Sequence, residues 1–108
     1  MAKKRQQISM IIKAYLGQLK KLGITTQRVI LYGSFARGDN KKESDIDLII
    51  VSDDFEDMNL RERLEILGIA AARILEPIEA LGYTSKEFEE AEKSSFLDEV
   101  LNSKVVNF

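Results

Sequence analysis

The sequence has no cysteine and no histidine. Without thiols, a disulfide scaffold and any cysteine-ligated zinc site are excluded, and without imidazole the commonest general base and metal ligand is missing too. Chemistry in this chain must rest on carboxylates, hydroxyls, lysine, arginine or a bound metal. No apolar run approaches transmembrane length, and although Lys3, Lys4 and Arg5 open the chain, the Gln6-Gln7 pair and the amphipathic spacing behind it do not make a secretory leader. A soluble, cytoplasmic protein without membrane contacts is predicted. Neither sign of charge dominates: 16 basic and 18 acidic residues give a net charge of -2, so the whole molecule exerts no bulk pull on nucleic acid, and binding DNA or RNA would need a local patch. The 108 residues, 44% of them hydrophobic, suffice for one core, so a single domain over 1–108 is expected, with no repeat or linker.

Apolar residues recur at three- and four-residue spacing from Gln6 to Leu22, which predicts a helix with one buried stripe, stopped by Gly23. Arg28 to Tyr32 is a short apolar run bounded by Gly33 and reads as a strand. A second strand, Asp45 to Ser52, places Asp45, Asp47, Ile49 and Val51 on one face and Ile46, Leu48 and Ile50 on the other. Both faces turn apolar beyond Asp47, the pattern of a central strand covered on both sides with two carboxylates at its open end. An acidic loop at residues 53–57 leads to an N-cap and a helix from Leu60 to Leu75, which the only proline, Pro77, prevents from continuing. Ile78 to Thr84 reads as a third strand with Glu79, Leu81 and Tyr83 on one face. Thr84 and Glu87 have the spacing of a capping box for a helix through the EFEEAEKS segment, and a short helix and an extended tail follow from Ser95.

The stretch GSFARGDNKKESDIDLIIV, Gly33 to Val51, holds the chemistry. Asp45 and Asp47 leave one face of a strand with α-carbons roughly 6.5–7 Å apart, a spacing at which two carboxylates can share one divalent cation or bracket two. Two-metal phosphoryl-transfer sites usually need a third carboxylate, and Glu79 converges on the pair if its strand lies beside theirs; Glu76 is the fallback. Gly33 allows a sharp bend after a strand, so that the following amides and the Ser34 hydroxyl can face an oxyanion, and Arg37 can add charge and paired hydrogen bonds. Each residue also has a plainer reading. Ser34 could be an N-cap, Asp45 and Asp47 solvated turn carboxylates, Arg37 a surface ion pair with Asp39 or Glu43, and Glu79 an exposed strand residue.

Two familiar patterns are only approached. Gly33 and Gly38 have Walker-A spacing, but Asp39-Asn40 stands where Lys-Ser/Thr is required; residues 39–50 carry some calcium-loop acids, but Ser44 replaces the glycine and Ile50 the closing glutamate. The combination of Gly33-Ser34-x-Ala36-Arg37-Gly38 with Ser44-Asp45-x-Asp47-Leu48 resembles the signature of the minimal nucleotidyltransferases of the DNA polymerase β-like superfamily, over nearly the whole chain. That resemblance implies an α+β fold, a small mixed sheet of three or more strands flanked by helices and similar to a polymerase palm. It implies that Gly33 and Ser34 bind nucleotide phosphates, to which Arg37 can add its charge. Asp45, Asp47 and Glu79 would be catalytic and hold magnesium, as two ions, with ATP as substrate. Glu79 departs from the aspartate common in the family by one methylene.

Transfer of AMP from ATP to a hydroxyl is therefore the expected activity. So short a chain has no room for a substrate-selecting domain, so the acceptor surface should come from another protein or another copy. The resemblance implies a helical HEPN-type toxin as partner, neutralised by binding or by adenylylation. A binding antitoxin with little or no catalysis, and nucleotidylation of a small molecule, are the alternatives.

Overall fold

The computed structural model describes residues 5–41, 44–93 and 95–108. Helix α1 (Arg5–Lys21) is followed by strand β1 (Arg28–Tyr32), a single-turn helix α2 (Ser34–Arg37) and strand β2 (Ile46–Val51). Helix α3 (Leu60–Arg73), strand β3 (Ile78–Tyr83), helices α4 (Ser85–Glu89) and α5 (Phe96–Leu101), and a short strand β4 (Val106–Asn107) complete the chain. The strands form one mixed sheet in the order β3-β2-β1-β4, antiparallel except for the parallel β2–β3 pair. The architecture is the α+β mixed sheet expected, with the extended tail joining as a fourth strand on β1. No helix among the described residues is long and apolar enough to cross a membrane.

The side-chain alternation of β2 explains the layering. Ile46, Leu48 and Ile50 face one core, where Ile8, Ile12, Tyr15 and Leu19 of α1 and Leu67, Ala70 and Ala71 of α3 close over them. Ile49 and Val51 face the opposite side and pack with Ile30 and with Leu97 and Val100 of α5. β2 is thus buried on both faces, as its composition requires. Tyr15 locks the first core: its hydroxyl donates to the Leu67 carbonyl at 2.9 Å, and burial pushes its phenol well above the ordinary range, so it stays neutral.

Element ends differ locally from the sequence reading. The acidic loop forms a 3-10 turn over Asp53–Phe55 capped by Ser52, and the N-cap of α3 is Asn59, in a reciprocal capping box with Glu62. The Thr84–Glu87 capping box is present, but α4 stops at Glu89, with Glu90 as its C-cap, where Glu89, Glu90 and Glu92 crowd negative charge at a helix C-terminus. Helix α3 closes in a Schellman motif: the Leu75 N–H donates to the Ala72 carbonyl at 3.2 Å and the Glu76 N–H to that of Ala71 at 3.4 Å.

That motif needs a left-handed residue, and here Leu75 takes φ 55 with its side chain 90% exposed. A leucine there bears the steric cost that glycine avoids. Leu75→Gly is expected to stabilise the fold by about 0.5–1 kcal/mol in urea unfolding, the relieved strain exceeding the added freedom of the unfolded chain. A loss of stability would mean that the leucine makes contacts worth more than its backbone strain.

Candidate active site

Tyr32, Asp47 and Glu79 form one row across the sheet. Tyr32 is opposite Asp47 in the antiparallel β1–β2 pair, and Asp47 is level with Glu79 in the parallel β2–β3 pair. Residues level in adjacent strands project from the same face about 5 Å apart, so a phenol and two carboxylates stand side by side. Asp45 lies exposed just ahead of β2, on the same face by alternation. Glu76 lies in the turn before Pro77, outside this row.

The electrostatics follow from this placement. The half-buried Asp47 has its pKa raised, first by burial and then by the neighbouring charges of Glu79 and Asp45, with Arg37 pulling the other way. The Tyr32 phenol is pushed up to about 12, first by burial and then by Asp47, Glu79 and Tyr83. Its ring meets Phe96 edge-on, with centroids 6.0 Å apart. Tyr32 is the member of the site that sequence reasoning missed. Its position before Gly33 was visible, but only the pairing of β1 with β2 sets it beside Asp47.

The glycine-serine turn touches this row directly. Gly33 has φ 75 and ψ -154, a region open to glycine alone, and a Cβ there would run into the Asp47 carboxylate, lying 3.1 Å from its Cγ. Gly33, not Ser34, is the N-cap of α2, and among the described residues the Ser34 hydroxyl has no hydrogen-bond partner. The Ala36 and Arg37 amides both donate to the Gly33 carbonyl at 3.1 Å. Ser34 is therefore not occupied as a cap. Arg37 pairs with Asp39 at 3.1 Å, both exposed, as the ion-pair reading has it, while its charge also reaches Asp47. Glu43, the other suggested partner, lies outside the described residues.

Among the described residues no three acids are gathered tightly enough to hold an ion as they stand. The arrangement offers one adjacent pair, Asp47 and Glu79, with Asp45 at the strand entrance. The donor set nonetheless suits a hard divalent cation, since it is made of carboxylate oxygens, and the like charge crowded around Asp47 is what such a cation relieves. A cleft of about 390 Å³ lined by Tyr32, Glu79, Leu81 and Leu64 opens beside the row. A larger cavity of about 630 Å³ lies farther along β3, around Arg63, Tyr83, Glu87 and Phe96, and includes neither acid of the row. Holding Glu79, the smaller cleft is the better candidate for the reacting groups.

Comparison with known proteins bears on the family and the fold. The family described as "Nucleotidyltransferase domain" matches residues 10–107. A Methanocaldococcus jannaschii protein named "Putative protein adenylyltransferase" is 37% identical over 81 residues, 69% of this chain and 72% of its own. The crystal structure of a "putative nucleotidyltransferase" from Sulfolobus solfataricus superposes with a TM-score of 0.59 at 22% identity, covering 100% of this chain and 90% of that one. A structure described as "the toxin-antitoxin with AMP-PNP" superposes with a TM-score of 0.50 at 20% identity over 72% of this chain and 58% of that one. At these identities the two superpositions speak for the fold.

The raised pKa of Asp47 makes a prediction about stability. A carboxyl whose folded pKa lies above its unfolded value binds protons more tightly when folded, so stability declines as pH rises through the interval between the two values. Asp47→Asn is expected to raise the melting temperature at pH 7, with the gain vanishing once pH falls below the ordinary aspartate pKa of 3.8. Thermal melts of both proteins across pH 3–8 measure this; a gain independent of pH would show that charge crowding at Asp47 is not its source.

Proposed function

The chain belongs to the nucleotidyltransferase domain family, and on that premise we propose that it transfers AMP from ATP to a hydroxyl of a partner protein, with magnesium. The observation that carries this reading is the contact between the glycine-serine turn, the proposed phosphate site, and the Tyr32–Asp47–Glu79 row. Asp45, Asp47 and Glu79 would hold magnesium, which when bound neutralises charge on the triphosphate. The Ser34 hydroxyl and the first amides of α2 receive phosphate oxygens, and Arg37 adds positive charge at the same end. Glu79 accepts the proton of the acceptor hydroxyl as its oxygen bonds to the α-phosphorus, the bond from that phosphorus to the β-phosphate bridge breaks, and pyrophosphate leaves. Tyr32, neutral at physiological pH, stands beside these carboxylates as a hydroxyl that does not add to their charge.

A protein acceptor is supported by the name of the M. jannaschii relative and by the toxin-antitoxin structural neighbour. A helical HEPN-type toxin is the proposed partner. The second reading, a binding antitoxin without catalysis, draws on the exposure of Glu79 and on acids that do not close into a ligand shell among the described residues.

Incubation with labelled ATP and magnesium, with and without the partner, separates the two. Label is expected to pass to the partner, to vanish on chelation and to fall by about 100-fold or more in Asp47→Ala, the scale on which removing one preorganised charge-stabilising group acts. A partner complex that forms without label transfer, unchanged by Asp47→Ala, would establish binding alone.

A further inference from the structure

We propose that β3 is a self-pairing edge, through which two copies join antiparallel about a twofold axis at Ala80 into one eight-stranded sheet, twice the four strands of a single copy. The inference rests on backbone geometry, and the seam borders the smaller cleft, whose lining includes Leu64, Glu79, Ala80 and Leu81. β3 lies at the end of the strand order, and among the described residues nothing pairs with its outer side. The Pro77 carbonyl accepts from the Ile46 amide at 2.8 Å and the Tyr83 carbonyl from the Ser52 amide at 2.9 Å. Odd-numbered residues therefore turn their backbone groups to β2, and Ile78, Ala80 and Gly82 turn theirs outward.

Two of those outward groups already have partners. The Ile78 N–H donates to the Glu76 carbonyl at 2.9 Å, and the Gly82 carbonyl accepts from Arg63 Nη1 at 3.2 Å. What is left is the Ile78 carbonyl, both groups of Ala80 and the Gly82 N–H. This set is its own complement. With Ala80 on the twofold axis, the two Ala80 residues exchange both hydrogen bonds, and each Gly82 N–H meets the Ile78 carbonyl of the second copy. Every free group is used, and the two engaged groups end the ladder on either side. Glu79 then faces Leu81 of the second copy, so like charges are not directly opposed.

The surroundings favour pairing. β3 carries no lysine or internal proline, the usual devices that blunt an edge, and its only charge is Glu79. The opposite edge of the sheet, β4, is only two residues long. Beside β3, Leu60 and Leu64 of α3 are 67% and 43% exposed, and Phe96 on the other face is 52% exposed. The axis stands perpendicular to the sheet, so Leu64 approaches its equivalent on one side while both acidic rows lie on the other. Closed twofold symmetry stops assembly at the dimer.

Sedimentation velocity from about 1 to 500 μM, spanning the weak-to-moderate affinity range, is expected to show a reversible monomer–dimer equilibrium. Hydrogen exchange over the same range should slow with concentration at the Ala80 and Gly82 amides but not at Glu79 or Leu81, which β2 protects in either state. Ala80→Pro removes two intermolecular donors per dimer and leaves the β2 ladder intact, so association should weaken roughly thirty-fold with circular dichroism unchanged. Should that variant misfold, Leu64→Lys serves instead, and should also weaken association. A wild-type chain monomeric throughout, as expected if the edge serves a different protein, would overturn the proposal. So would a dimer insensitive to the folded variants, or one lacking concentration-dependent protection at Ala80 and Gly82.

Discussion

The rest of the structure depends on one constraint: β2 must be buried on both faces while carrying a carboxylate at its entrance. Ile46, Leu48, Ile49 and Ile50 have no exposed surface, so the strand is stable only between two apolar layers. The α1–α3 layer supplies one and α5 the other. Once β2 is held in this way, its neighbours have little freedom of register, since a slip of one residue would turn every apolar side chain of β1 or β3 to the wrong face. The same register that satisfies the cores sets Tyr32 and Glu79 on either side of Asp47. Packing and chemistry are therefore fixed by a single set of strand pairings.

Asp47 carries the electrostatic consequence. It is half-buried, has like charges beside it, and is pressed against the α-carbon of a glycine that a larger residue could not replace without collision. A folded chain tolerates such crowding because the strand behind it contributes far more through burial than one carboxylate costs. Like charge concentrated at a strand end, next to a turn whose hydroxyl is unengaged among the described residues, is the state that a bound cation would relieve. Arg37 offsets only part of it, since its guanidinium is exposed and shared with Asp39.

β3 faces two ways. Through its odd-numbered backbone groups it completes the parallel pair with β2 and delivers Glu79 to the row, while its even-numbered groups form an outer edge. Arg63 links these roles. It holds the Gly82 carbonyl and Glu87 at 2.6 Å, tying α3 to the end of β3 and to the first turn of α4. The strand that carries the third acid is thus braced at its far end and open along its middle.

Periodicity in the sequence alone determined the elements and their faces: the stripe of α1, the bounds of β1, the two-sided burial of β2, the capping box of Thr84 and Glu87, and the acids at the entrance of β2. These are local properties, set by backbone geometry over a few residues. Only the tertiary structure decided that β3 lies parallel beside β2, that the C-terminal tail becomes β4, that Tyr32 joins the carboxylates, and that Gly33 lies against Asp47. Those facts concern residues up to about eighty positions apart, where partner choice follows from which apolar faces can be buried together, and no local pattern encodes that.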